Sequence, residues 1–164
     1  MTIHEPGAYH IYNRGNNQQT IFFNQENYFY FLRKCHKYIK PISEIFAWCL
    51  MLNHFHFLIE VIDKSLEPIT VGGNTMPLLT NGFRLLQSSY AKGINKQLGR
   101  TGNLFQQKAK AKFIDDSEKY SITAFHYIHQ NPVAGGLVKE AHDWPYSSFT
   151  DYSGITGSRS EERR

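Results

Sequence analysis

The chain has 164 residues, enough for one domain with a substantial hydrophobic core but too few for two domains of ordinary size. Its formal net charge of +4 favours a polyanionic partner, although the same charge also promotes solubility. The 2 cysteines lack zinc-type spacing, and the sequence shows no membrane-length apolar run or leader peptide, so we expect a cytoplasmic protein with reduced thiols and no membrane partner.

Hydrophobic periodicity and the positions of turn-forming residues predict alternating strands and helices. Asn24 is a suitable N-cap for the first helix, and Asp115 with Glu118 resembles a capping box for the last one. The predicted elements in chain order are a strand at 9–14, a helix at 25–39, strands at 44–51 and 52–61, a loop at 63–76, a helix at 77–98, a strand at 107–114 and a helix from 115 to about 130.

The order of the main elements is βαββαβ, which is typical of a ferredoxin-like α+β fold with an antiparallel sheet. The helix that follows the last strand is then an additional, C-terminal helix. We expect one domain over residues 1–150 and a polar, disordered tail at 151–164.

The strand at 52–61 carries two histidines at alternate positions. Phe55 and Phe57 share one face of the strand, and His54 and His56 share the other. Because alternate residues of a strand lie about 7 Å apart, two such imidazoles can converge on one divalent metal. The alternative is a half-exposed strand with two polar histidines and no ligand.

The last predicted helix carries a tyrosine and an amide that are four residues apart. Tyr127 and Asn131 therefore lie on one side of the helix, one turn apart, and Pro132 is expected to end it. The pair can supply a nucleophile and a metal ligand. The alternative is a boundary tyrosine packed on the sheet and an asparagine that caps the helix. We interpret the neighbouring His129 as structural, since it faces the core side.

Four segments of the chain, taken together and in this order, resemble the single-tyrosine HUH transposases, which include the insertion-sequence and REP-associated groups. The likeness spans residues 7–150, and the shared order of the segments is far more specific than the two histidines alone. The four segments are Tyr12–Gly15, Ala47–His56, Tyr127–Val133 and Trp144–Phe149.

The resemblance implies a ferredoxin-like endonuclease and strand transferase that acts on single-stranded DNA, in particular on DNA hairpins. It implies that His54, His56 and Asn131 bind Mg²⁺ or Mn²⁺, and that Tyr127 attacks the scissile phosphate to form a 5′-phosphotyrosine link. A metal or a base helps a phenol to act as a nucleophile, and a covalent intermediate lets a second 3′-hydroxyl reverse the reaction.

Basic residues near the first and last strands are the candidate DNA contacts. Lys108, Lys110 and Lys112 alternate with apolar residues, so they are predicted to share one strand face, and Arg14 adds a further cation. The alternative is a solvated edge strand protected against aggregation by its lysines. The family often has an arginine in this segment, and lysine lacks its bidentate geometry.

Two other functions remain compatible with the sequence. A domesticated copy could bind DNA hairpins without cutting them, in which case Tyr127 is not needed. A hydrolase without a covalent intermediate would need a carboxylate such as Glu60, which lies at the far end of the strand face. A homodimer, in which Tyr127 serves its own histidine pair or that of a second copy, is also left open.

Overall fold

The structure, a computed structural model, describes residues 1–114 and 118–154, of which 118–121 are described by their backbone alone. The predicted capping box at Asp115 and the part of the predicted tail from residue 155 onward lie outside the described residues. In chain order the elements are β1 (Gly7–Arg14), α1 (Gln25–Tyr38), β2 (Glu44–Leu50), β3 (His54–Val61), α2 (Asp63–Leu66), β4 (Pro68–Val71), β5 (Asn74–Pro77), α3 (Leu78–Gln97), β6 (Lys110–Ile114), α4 (Glu118–Ala134) and α5 (Phe149–Tyr152).

Four of the strands form one antiparallel sheet with the order β2-β3-β1-β6. The first strand of the chain therefore lies in the middle, between the third strand and the last one. This is the strand order of a ferredoxin-like fold, and it confirms the α+β class predicted from the sequence. It also places β1 directly beside the histidine strand β3.

Aromatic side chains on one face of the sheet form the core with α1 and α3. Phe31 of α1 packs against Phe55 and Phe57 of β3, with ring centroids 5.2 and 6.4 Å away. The two helices approach closely because Gly82 of α3 has no side chain. A Cβ at that position would lie 2.7 Å from the backbone oxygen of Tyr38.

Strand β2 lies at one edge of the sheet, and the segment 144–148 covers this edge. The backbone amide of Leu50 donates to the carbonyl of Tyr146 at 2.9 Å, and the indole N–H of Trp144 donates to the carbonyl of Leu50 at 3.0 Å. The last of the four motifs thus supplies hydrogen-bond partners that an edge strand otherwise takes from water or from another chain.

The prediction of a loop at 63–76 is wrong, because this segment contains α2 and most of the β4–β5 hairpin. Gly72 and Gly73 form the turn of the hairpin with φ angles of 58° and 81°. Glycine adopts this left-handed conformation without steric cost, and two such residues are typical of a tight hairpin turn. The adjacent glycines between short polar and β-branched runs are the sequence signal for it.

Helix α4 continues through Pro132 to Ala134, so the prediction that the proline ends the helix is wrong. A proline inside a helix removes the N–H that would bond the carbonyl four residues earlier, here that of Ile128. The Nδ2 atom of Asn131 lies 3.5 Å from this carbonyl oxygen and supplies a weak substitute. The turn after the helix contains Gly136 with a φ of 67°.

Helix α5 crosses the domain boundary predicted at residue 150. The hydroxyl of Tyr152 donates to the carbonyl of Phe46, and its ring packs edge-on against Phe125 of α4 with centroids 5.0 Å apart. The fold therefore extends beyond residue 150. Within the described parts of the chain, no helix combines the length and apolarity needed to cross a bilayer.

Candidate functional site

The two histidines of β3 lie side by side on the face of the sheet that is opposite the aromatic core. Their ring centroids are 5.0 Å apart. Phe55 and Phe57, which alternate with them, are fully buried on the core side. His54 is half-buried, whereas only 6% of His56 is exposed. The alternation predicted for this strand is confirmed.

Burial keeps both imidazoles in their neutral form. It lowers the pKa of His54 to about 4, with a further contribution from the positive charge of Arg14. Burial also lowers the pKa of His56 to about 3, and the nearby His10, His54 and Arg14 add to the effect. At neutral pH each ring therefore keeps a nitrogen lone pair, which is the form of imidazole that binds metals.

A hydrogen bond orients the ring of His54. Its Nδ1 atom lies 2.6 Å from Oδ1 of Asn53, and Nδ2 of Asn53 donates to the carbonyl of Gln18 at 3.2 Å. Because an amide oxygen only accepts, Nδ1 of His54 carries the proton and Nε2 carries the lone pair. Among the described residues, Nε2 of His54 and of His56 has no hydrogen-bond partner.

Tyr127 of α4 lies against the histidine face of the sheet. Its ring makes edge-to-face contacts with His56 and with His10, at centroid distances of 5.8 and 5.9 Å. The side chain is 54% exposed. The structure therefore brings the predicted nucleophile to the histidines and leaves it accessible to a large substrate.

Asn131 lies one turn further along α4. Its Nδ2 atom donates to the carbonyl of Tyr127 at 2.7 Å, and its Oδ1 atom has no partner among the described residues. The helix runs from there toward the turn before His54, since a Cβ on Gly135 would lie 3.2 Å from Cε of Met51. The hydrogen bonds described for Asn131 engage only Nδ2 and leave Oδ1, the atom that would bind a metal, without a partner, so its role as a third ligand stays a prediction.

Strand β1 contributes two residues that the sequence analysis missed. The register pairs Tyr12 with His56, so Tyr12 and the alternate residue His10 lie on the histidine face. The Nε2 atom of His10 is 2.8 Å from Nδ1 of His56, and the rings of His10 and Tyr12 stack at 4.9 Å. The signal for both is the alternation in β1, combined with the strand order of the predicted fold.

Three of the four predicted DNA-binding cations lie on the same face. Arg14 is paired with His54 across β1 and β3, and Lys110 and Lys112 are paired with Tyr12 and His10 across β1 and β6. Both lysines are exposed, and the charge of Lys112 adds to burial in lowering the pKa of His10 to about 4. A phosphate at the histidines would therefore meet positive charge on the side of β3 that faces β1 and β6.

Lys108 does not lie on the strand, because β6 begins at Lys110 and not at residue 107. After burial, the charge of Lys108 is the second cause of the lowered pKa of the amino group of Met1. The predicted row of three lysines on one strand face is therefore corrected to two, with the third beside the N-terminus.

The neutral histidines fit a divalent ion, because the Nε2 atom of each has no hydrogen-bond partner among the described residues and the two rings lie on the same side of the sheet. Within the described residues, no three His, Cys, Asp or Glu side chains are placed to hold a metal ion. A third ligand would therefore be the amide oxygen of Asn131, water or the substrate itself. Oxygen ligands of this kind suit Mg²⁺ and Mn²⁺.

No protein-family model matches the chain. Over 107 residues it is 29% identical to a protein of Haemophilus influenzae named for the REP-associated tyrosine transposases, and the match covers 65% of this chain but 58% of that protein. The fold is similar to a solved structure of a REP-associated tyrosine transposase bound to a REP hairpin, with a TM-score of 0.64, 18% identity, and coverage of 94% of this chain and 86% of the other. The resemblance to the REP-associated tyrosine transposases of the single-tyrosine HUH family, predicted from four short motifs, is therefore confirmed.

Proposed function

We propose that the chain is a transposase-like endonuclease and strand transferase that acts on single-stranded DNA with hairpins, with Tyr127 as its nucleophile and Mg²⁺ or Mn²⁺ as its cofactor. The observation that carries this proposal is the contact between the exposed ring of Tyr127 and His56. The hairpin-bound structure with a similar fold supports the choice of DNA substrate.

Substrate binding would use the cations around the histidines. Arg14 lies beside His54, and Lys110 and Lys112 lie on the neighbouring strand, so a DNA backbone that crosses the sheet meets positive charge along its path. A divalent ion held by the histidines and the amide of Asn131 would neutralise charge on the scissile phosphate.

The chemical step would be a transesterification at phosphorus. The phenol oxygen of Tyr127 forms a bond to the phosphorus while the bond to the 3′ oxygen breaks. The phenol proton is lost to solvent, and the departing 3′ oxygen takes up a proton from solvent. Tyr127 then holds the 5′ phosphate, and attack by another 3′-hydroxyl restores a DNA strand without added energy.

The test is incubation with end-labelled single-stranded DNA hairpins and Mn²⁺, followed by denaturing electrophoresis to detect a covalent adduct. We expect the adduct with wild type and none with Tyr127→Phe, which removes only the hydroxyl. Tyr12→Phe is the decisive comparison, because the Tyr12 ring is also 5.8 Å from His56. Tyr38→Phe, on the opposite helix layer, is the remote control.

A second candidate is a protein that binds hairpins without cutting them. It requires the exposed cations Lys110 and Lys112 but neither a metal ion nor the hydroxyl of Tyr127. Both functions use the same basic face, which is formed by Arg14, Lys110 and Lys112. Tight binding by wild type without any adduct would support the second candidate, and an adduct that persists in Tyr127→Phe would show that another residue is the nucleophile.

A further inference from the structure

His10 has no role in the function proposed so far, yet it makes the one side-chain hydrogen bond described for the more deeply buried histidine of the pair. Its Nε2 atom lies 2.8 Å from Nδ1 of His56, and the two rings are nearly parallel, with an interplanar angle of 26°. The two residues are 46 positions apart and meet through the pairing of β1 with β3.

We infer that His10 is a positioning residue that holds His56 in the tautomer with its proton on Nδ1, so that the lone pair of Nε2 faces the ligand site. This inference rests on the proposed function, because its purpose is to present a second imidazole nitrogen to a divalent ion. In this role His10 acts through His56 and is not itself a ligand of the ion.

The hydrogen bond contains one proton, which allows two arrangements. If Nδ1 of His56 donates to Nε2 of His10, then Nε2 of His56 keeps its lone pair and can bind a metal. If Nε2 of His10 donates instead, Nε2 of neutral His56 carries a proton and cannot bind. A pair with both rings doubly protonated is excluded by the 2.8 Å contact itself, because one of the two nitrogens must keep a lone pair to accept the hydrogen bond.

The comparison with His54 supports the first arrangement. Nδ1 of His54 is already engaged by the Oδ1 atom of Asn53, which leaves Nε2 as the free nitrogen. Nδ1 of His56 is likewise the engaged nitrogen, here by Nε2 of His10, and Nε2 is again the atom without a partner among the described residues. Both rings therefore present the lone pair of Nε2 only if Nε2 of His10 accepts the hydrogen bond from Nδ1 of His56. Ligand histidines are commonly oriented by a hydrogen bond at their other nitrogen.

Packing keeps His10 in place for this role. Its ring stacks on Tyr12 with an interplanar angle of 28° and lies edge-on to Tyr127. The acceptor nitrogen is thus fixed by neighbours on two elements. A side chain that fills the same space without an acceptor would keep the packing and lose only the hydrogen bond.

The test compares wild type, His10→Phe and His10→Gln as full chains, with His36→Phe on α1 as a remote control. Phenylalanine keeps the ring without an acceptor, and glutamine keeps a polar atom near the position of Nε2. Long-range ¹H–¹⁵N NMR of the metal-free proteins reports the tautomer of His56 directly. We expect the Nδ1–H form in wild type and in His10→Gln, and a shift toward the Nε2–H form in His10→Phe.

Calorimetric titration with Mn²⁺ is the second readout. Affinity should fall about 10- to 100-fold in His10→Phe and recover most of this loss in His10→Gln. An Nε2–H tautomer of His56 in wild type would overturn the inference, and so would wild-type Mn²⁺ affinity in a folded His10→Phe protein. Failure of wild type to bind Mn²⁺, with the Nδ1–H tautomer present, would count against the proposed metal site and not against the orientation of His56 by His10. If His10→Phe does not fold, the NMR spectra of wild type and His10→Gln still show which nitrogen of His56 carries the proton, and this decides the inference.

Discussion

Replacing Arg14, Lys110 and Lys112 together by alanine should weaken the binding of hairpin DNA and flatten its salt dependence. The three cations lie on the histidine face of the sheet, and Nζ of Lys110 is 6.0 Å from the ring centroid of Tyr12. Each phosphate contact contributes about 0.7 to the log–log salt slope for single strands and about 0.9 for duplex DNA. Loss of three contacts should therefore reduce the slope by about 2 to 3 units.

The assay is fluorescence anisotropy with a labelled hairpin that carries a single-stranded extension, repeated over a series of NaCl concentrations. A matched control removes the same charge from exposed positions on and just after α1, with the substitutions Arg33→Ala, Lys37→Ala and Lys40→Ala. This control should change the slope much less, because α1 covers the opposite face of the sheet. Equal slopes for the two triple variants would refute the assignment of the basic face.

Metal binding and folding provide further tests. His54→Ala should abolish Mn²⁺ binding and leave the fold intact, and calorimetry that shows wild-type affinity would contradict the histidine site. Gly82→Ala should lower the free energy of unfolding by about 1–3 kcal/mol in urea titrations, because the new Cβ meets the backbone oxygen of Tyr38. A variant more stable than wild type would mean that α1 and α3 can move apart at no cost. Lys108→Ala alone should change the DNA salt slope less than Lys110→Ala, because Lys108 lies outside β6. The free energy of unfolding, measured by urea titration, should fall as the pH is lowered from 6.5 toward 4, because burial lowers the pKa of His129 to about 4 and the unfolded chain then binds a proton that the folded chain excludes. Constant stability over this range would contradict the burial of the His129 ring.

Local sequence patterns were sufficient to predict the four strands that form the main sheet. The alternation in β3 placed its two histidines on one face because successive side chains of a strand point to opposite sides, whatever the strand is paired with. The β4–β5 hairpin was missed because its strands are only 4 residues each and none of these residues is fully buried, so the strands carry little hydrophobic periodicity. The extension of α4 past Pro132 was missed because the proline rule is local, whereas this proline is buried by tertiary packing.

The amino-acid sequence by itself therefore determined the order of the main strands and helices, the shared face of His54 and His56, and the family likeness, because each can be recognised in short segments of the chain. Only the tertiary structure decided which residues surround that face. The contact between His10 and His56 spans 46 positions and depends on the register of β1 against β3. Register is set by the burial of the whole sheet in its aromatic core, and no short segment of the chain contains that information.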